Sequence, residues 1–244
     1  MSKVLLVTGA SRGIGAATAK LAGAQGYDVA VNYVRDAKAA DDVVASVKGA
    51  GRKAIAIQGD MGKEQDVART FATIDKELGR LTHLVYNSGT TGANSRVEAA
   101  DTAMMREVIE LNVLGALMCV KGAISRMSVK HGGEGGAIVL ISSAAATLGG
   151  PGEYVWYAAS KGAMDSMTYG LSKELALDRI RVNSVQPGLI DTSIHPAGRV
   201  ERLTPMIPMG RPGAPDEVAA SILFLLSDAS SYTSGTVLRV AGGR

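Results

Sequence analysis

Short apolar runs alternating with longer stretches of helical period constrain this chain more than any other feature. The runs are KVLLVT (3–8), DVAVNY (28–33), KAIAIQ (53–58), HLVYN (83–87), AIVLIS (137–142), IRVNSV (180–185) and TVLRV (236–240). The segments between them, roughly 12–26, 37–50, 63–79, 99–129, 153–178 and 214–228, are long enough for helices. Runs apolar on both faces suit strands buried on both sides, and parallel strands need helical crossovers to join them. The pattern therefore predicts an α/β fold, a three-layer αβα sandwich around a seven-stranded parallel sheet.

Composition supports that prediction. Hydrophobic residues make up 46% of the 244 residues but aromatics only 4%, and there are 30 glycines, as expected of Val/Ile/Ala-rich strands joined by glycine turns. The sequence is expected to form one domain over 1–244. The single cysteine, Cys119, leaves no partner for an internal disulfide and no metal cluster. A reducing, cytoplasmic setting and a buried Cys119 are the expectation. The start, MSKVLLVTGASRG, is too short an apolar run for a leader, and no segment is read as reaching about 18 apolar residues, so no membrane span is expected. A net charge of +3 spread among 23 acidic residues gives no basic stripe, so nucleic acid is not an expected partner.

The stretch VTGASRGIGAATAK follows the first strand and opens a helix, with Gly9, Gly13 and Gly15 at the turn. Glycines there let the backbone approach a pyrophosphate seated at the helix N-terminus. HGGEGG before the fifth strand reads as a turn. The segment 187–214 holds most of the prolines and no strong period. It starts at the carboxyl end of the sixth strand, where sheets of this type bind ligands, and is expected to be the substrate loop.

A tyrosine followed four residues later by a lysine occurs twice, at Tyr157/Lys161 and Tyr169/Lys173. Both pairs can lie on one helix, but twelve residues of separation rotate them by roughly 120° and place them about 18 Å apart along the axis. They cannot serve one site. Tyr157 stands near the helix start, close to Ser142 and Ser143 at the end of the fifth strand, whereas Tyr169 lies about three turns deeper. Ser143 and Tyr157 are therefore expected to meet, with Ser142 pointing to the other side of its strand.

The spacing Gly-x-x-x-Gly-x-Gly at 9–15, Asn112 in ELNVLG, Ser143 in ISS, the box YAASK and the stretch QPGLIDT together resemble the classical short-chain dehydrogenase/reductase family. The likeness runs through the whole chain, in order. It implies a Rossmann fold and hydride transfer between a nicotinamide cofactor and a carbonyl or alcohol substrate. It implies Tyr157 as general acid or base, Ser143 as the donor that orients the carbonyl, Lys161 as the group that lowers the tyrosine pKa and holds the ribose, and Asn112 in a proton relay. For the cofactor it implies Gly9, Ser11, Arg12, Gly13, Ile14, Gly15, Asn32, Tyr33, Arg35, Asp60, Met61, Asn87, Ser88, Gly89, Pro187, Gly188, Ile190 and Thr192, besides Tyr157 and Lys161. Tyr86 and Ser88, in YNSG, depart from the family's usual Asn-Asn-Ala-Gly.

An acidic side chain after the second strand would accept from the free ribose hydroxyls of NAD; this sequence offers Asn32 and Tyr33 there, with Arg12 and Arg35 available for a 2′-phosphate. NADP(H) is the expected cofactor and NAD(H) the alternative. A 3-oxoacyl-acyl-carrier-protein reductase and a glucose-dehydrogenase-like sugar dehydrogenase both fit, and a regulator that binds NADP without catalysis is the remote alternative. His195 is a possible substrate contact, and Met206, Ile207 and Met209 stand beside Arg199 and Arg202 in the substrate loop. The resemblance also implies a homo-oligomer, a tetramer or dimer packed through the helices at 99–129 and 153–178.

Overall fold

The computed structural model describes residues 3–192 and 198–244. Seven strands, β1 (Lys3–Val7), β2 (Tyr27–Tyr33), β3 (Ala54–Gln58), β4 (His83–Tyr86), β5 (Gly136–Ile141), β6 (Ile180–Pro187) and β7 (Val237–Val240), form one sheet in the order β3-β2-β1-β4-β5-β6-β7. Every pairing is parallel. The order reverses between β1 and β4, which opens a crevice at the carboxyl ends of these two strands.

Successive residues of a strand face opposite layers, and β1 shows it directly. Leu5 and Val7 join the core that β1 shares with α1 (Gly13–Ala24), α2 (Ala37–Gly49) and α9 (Pro215–Leu226), while Val4 and Leu6 join the core on the other face, against α3 (Glu64–Glu77), α5 (Gly115–Met127) and α7 (Val155–Glu174). The fold is the expected sandwich.

Two expectations need correction. The helix read over 99–129 is built of α4 (Thr102–Ile109), a π-helical turn at Glu110–Leu114, and α5. Together Thr102–Met127 is long and apolar enough, by length and composition, to cross a membrane, although it holds no run of 18 apolar residues. Its apolarity has a structural use: Cys119, Val120, Ala123 and Met127 bury against Leu84, Ile138 and Leu140. The substrate loop also has structure of its own. Ile190 bridges to Gly213, α8 (Arg199–Leu203) follows, and Leu189, Leu203 and Ile207 make a small separate core. The tail after β7 packs under it, with Met209 N donating to Gly242 O at 3.1 Å. His195 lies outside the described residues. The remaining helix, α6 (Ala145–Leu148), follows β5.

Candidate active site

The glycine loop is held from three sides. Gly9 (φ +60°) and Gly13 (φ +56°) take the left-handed conformation that favours glycine. Gly15 faces a different constraint, since a Cβ there would lie 2.5 Å from Gly9 O and 2.6 Å from Asn87 Nδ2. Asn87 Nδ2 donates to Thr8 O and Gly9 O, and Thr8 Oγ1 accepts from the backbone N–H groups of Asn87 and Ser88. These bonds stitch the end of β4 to the loop. Arg12 stands at the N-cap of α1 without capping it by its side chain, so the first N–H groups of the helix point toward the crevice. Ser11 and Ile14 are half-buried beside them.

Asn32 does not face a ribose. It is fully buried; its Oδ1 accepts from Gly9 N at 3.1 Å, and its Nδ2 donates to Gly59 O at 2.9 Å and Ile57 O at 3.3 Å. Both ends of its amide are bonded to backbone, so Asn32 supports the glycine loop. Tyr33 packs on the core with part of its ring exposed, and Arg12 and Arg35 are exposed. Asp42 and Asp216 line the same hollow as Arg12. Asp36 accepts from Ala39 N as the cap of α2, and Asp28 pairs with Arg52 at the opposite end of β2. Asp60 accepts from Gly62 N, while the Met61 side chain is buried beside Cys119, which leaves only its backbone toward the crevice.

The departures at 86 and 88 have local explanations. Tyr86 is buried and its hydroxyl donates to Leu111 O at 2.6 Å, tying β4 to the π-turn. Ser88 tucks its hydroxyl against Gly9. Gly89 is exposed over the next layer: a Cβ there would lie 3.2 Å from Asn112 Oδ1 and 3.4 Å from Lys161 Nζ. Asn112, in the π-turn, is fully buried; its Oδ1 accepts from Thr90 N, and its Nδ2 donates to Thr90 O and Ser160 Oγ. Its side chain is thus occupied in fixing Thr90 to α7.

At the end of β5 the two serines part as strand alternation predicts. Ser142 is buried and donates to Lys161 O at 3.0 Å, pinning α7. Ser143 turns into the crevice that Tyr157 also lines, and its Oγ accepts from Ala145 N. Lys161 lies behind, its Nζ 5.7 Å from the Tyr157 ring centroid and donating to Ile141 O at 2.7 Å. Tyr169 is 51% exposed and Lys173 is exposed, away from all of these groups.

Burial dominates the electrostatics of the Tyr157/Lys161 pair. Burial pushes the Tyr157 phenol up to about 12, and the Ser143 hydrogen bond and the Arg199 charge only partly oppose it. Burial pushes the Lys161 ammonium down to about 8, with Asp165 acting against the shift. Lys161 is buried and Tyr157 partly so, which penalises their charged forms.

From β6, Pro187 O accepts from Ala144 N, Gly188 N donates to Val240 O, and Thr192 reaches across the crevice to Gly13. Ile190 lies buried beneath them. A cleft of about 440 Å³ runs from these residues past Ser143 and Tyr157, walled by Leu148, Leu203 and Met206. Its mouth also holds residues that were not expected at the site. Tyr154 stands edge-on to Tyr157, with ring centroids 5.3 Å apart, and Glu153 and Arg244 line the rim. The only signal for Tyr154 was its place three residues before Tyr157, one helical turn away.

The chain matches the family model described as enoyl-(acyl carrier protein) reductase over residues 9–244. It is 46% identical to an uncharacterized oxidoreductase, YgfF, of Escherichia coli, covering 99% of both chains. It is 38% identical to a 3-oxoacyl-[acyl-carrier-protein] reductase of Synechocystis, covering 99% of this chain and 96% of the other. Among solved structures, a short-chain dehydrogenase from Burkholderia cenocepacia in complex with NADP superposes with a TM-score of 0.92 at 34% identity, over 99% of this chain and 97% of that one.

Proposed function

Because the chain belongs to the short-chain dehydrogenase/reductase family of oxidoreductases, we propose that it interconverts a carbonyl and an alcohol with NADP(H), using Ser143, Tyr157 and Lys161. The observation that carries the reading is that Ser143 and Tyr157 line one cleft beside the glycine loop, with Lys161 Nζ 5.7 Å from the Tyr157 ring centroid.

The cradle fits a dinucleotide. Gly15 leaves no room for a Cβ and the first turn of α1 offers free N–H groups, as a pyrophosphate requires. Arg12 and Arg35 would hold a 2′-phosphate, and the backbone at Met61, Gly89 and Gly188 would line the rest. When bound, the cofactor gives up or takes up the hydride.

The chain's own residues handle the proton. A carbonyl oxygen gaining charge needs donors already in place, and Ser143 Oγ and Tyr157 Oη converge on one point of the cleft. Tyr157 holds its proton through the neutral range and so has one to donate in reduction. Lys161 supplies positive charge behind the phenolate that forms, and Asn112 holds Thr90 and α7 in register around it.

The test is NADPH and NADH consumption across ketones, aldehydes and β-ketoacyl thioesters and, in the reverse direction, formation of NADPH or NADH from NADP+ or NAD+ with sugars. Turnover should prefer NADPH, survive Tyr169→Phe and fall at least a thousandfold in Tyr157→Phe, on the order of a lost general acid with its hydrogen bond. Full activity in Tyr157→Phe would sink the assignment. A thioester-specific rate would favour the 3-oxoacyl reductase reading, which the Synechocystis relative's name supports.

A further inference from the structure

Glu153, Tyr154 and Arg199 form a closed set at the mouth of the cleft, and no step described so far uses them. Arg199, from α8, is only 9% exposed. Its guanidinium pairs with the Glu153 carboxylate, bonds the Tyr154 hydroxyl, and lies over the Tyr154 ring with Cζ 4.9 Å from the centroid. The other Glu153 oxygen takes Arg202 Nη2 at 2.7 Å. Tyr154 in turn presses edge-on against Tyr157, at 5.3 Å and 85°.

An arginine this buried cannot shed its proton, so its charge must be balanced by a neighbour or felt by one. Glu153 balances it, and the nearest ionisable group one ring away is Tyr157. We propose that Arg199, with Glu153 as its counter-charge and Tyr154 as its spacer, is a positioning residue that fixes the Tyr157 ring and sets its acid strength. The proposal rests on the role given above to Tyr157.

The charged and titratable groups around that ring have opposing effects. From its own helix come Lys161, behind the ring, and Asp165 one turn further on. From the segment before the helix come Glu153 and Tyr154, from α8 come Arg199 and Arg202, and from the tail comes Arg244 at the rim. Ser143 after β5 is the uncharged neighbour. Positive charge favours the phenolate and negative charge opposes it, so Arg199 and Glu153 act in opposite senses on one proton. Arg199 belongs to the segment that walls the cleft and Glu153 to the approach to the catalytic helix, which couples the seating of that wall to the strength of the acid.

Trp156, the chain's single tryptophan, supplies a readout that needs no substrate. It is buried one residue before Tyr157, with Nε1 donating to Thr91 O at 2.8 Å, and a phenolate nearby quenches its emission. Emission of the full chain is titrated through the alkaline range, each variant being compared with its Tyr157→Phe counterpart so that only the Tyr157 transition remains. Arg199→Gln should move the midpoint upward and Glu153→Gln downward, each by on the order of half a pH unit or more for a charge one ring away. Arg199→Lys should stay near wild type, and the Arg199→Gln/Glu153→Gln pair should return toward it. Equal midpoints in the two single Gln variants, or shifts of the same sign, overturn the proposal, since lost packing alone would move both the same way. NADPH turnover that survives Tyr157→Phe would instead sink the functional reading, whatever these midpoints do.

Discussion

At the scale of single residues, the contrast between Asn32 and its neighbours shows what a strand's alternation decides. Asn32 shares a strand face with Ala30, and Tyr33 shares the other with Val31. A polar residue at the end of β2 was legible, but its use was not, because its partners are Gly9 in the glycine loop, Ile57 in β3 and Gly59 just after β3. With Asn32 occupied and Asp36 serving as a cap, the proposed preference for NADP(H) would rest on Arg12 and Arg35. Replacing both with alanine is expected to weaken NADPH binding by roughly 10- to 100-fold, the worth of one or two charge-assisted hydrogen bonds at an exposed site, and to leave NADH binding nearly unchanged. Binding titration with each reduced cofactor checks this, and equal loss for both would remove the two arginines from the choice.

At the scale of elements, the strands were legible almost residue by residue because a buried parallel strand must be apolar on both faces. The serine pair was legible for the related reason that neighbours on a strand point apart, and Ser142 and Ser143 do so. The π-turn at Glu110–Leu114 was not legible, since it differs from the helix around it by one hydrogen-bond step and leaves no mark in composition. It matters because it brings Asn112 to Thr90 and Leu111 to Tyr86. It also leaves Ile109, Leu114 and Leu117 each more than 40% exposed on one stretch of helix. Scattered exposed apolar residues are ordinary, but a row along one helix is the surface a second copy would cover. The chain is expected to self-associate through α4 and α5, giving a light-scattering mass above that of one chain, with Leu114→Glu/Leu117→Glu shifting it toward the monomer. A single-chain mass for the unmodified protein would refute this.

At the scale of the whole molecule, the least legible features are the ties between segments far apart in sequence. The Arg199–Glu153 pair spans 46 residues, and a charge in a loop reads as solvated until the fold buries it. His83 is a second case. It reads as the polar first residue of β4, yet it is buried, edge-on to Tyr27 at 5.1 Å, with Nδ1 2.7 Å from Thr82 Oγ1. Burial first, and then the charges of Lys3 and Arg181, push its pKa from 6.5 down to about 4. The unfolded chain therefore binds a proton that the folded chain refuses between these two values, so the contribution of a neutral His83 is complete above about 6.5 and is lost as the pH falls toward about 4. The linkage amounts to roughly 3 kcal/mol across that window. The carboxylates held below their usual range act lower down, Glu217 for instance being brought to about 2 by Arg211, so they contribute little to the slope there. Denaturant titrations at several pH values should show stability falling through this range in the unmodified chain. In His83→Gln, which cannot take up the proton, the fall should be about 3 kcal/mol smaller. An equal slope in the two proteins would place the acid sensitivity elsewhere.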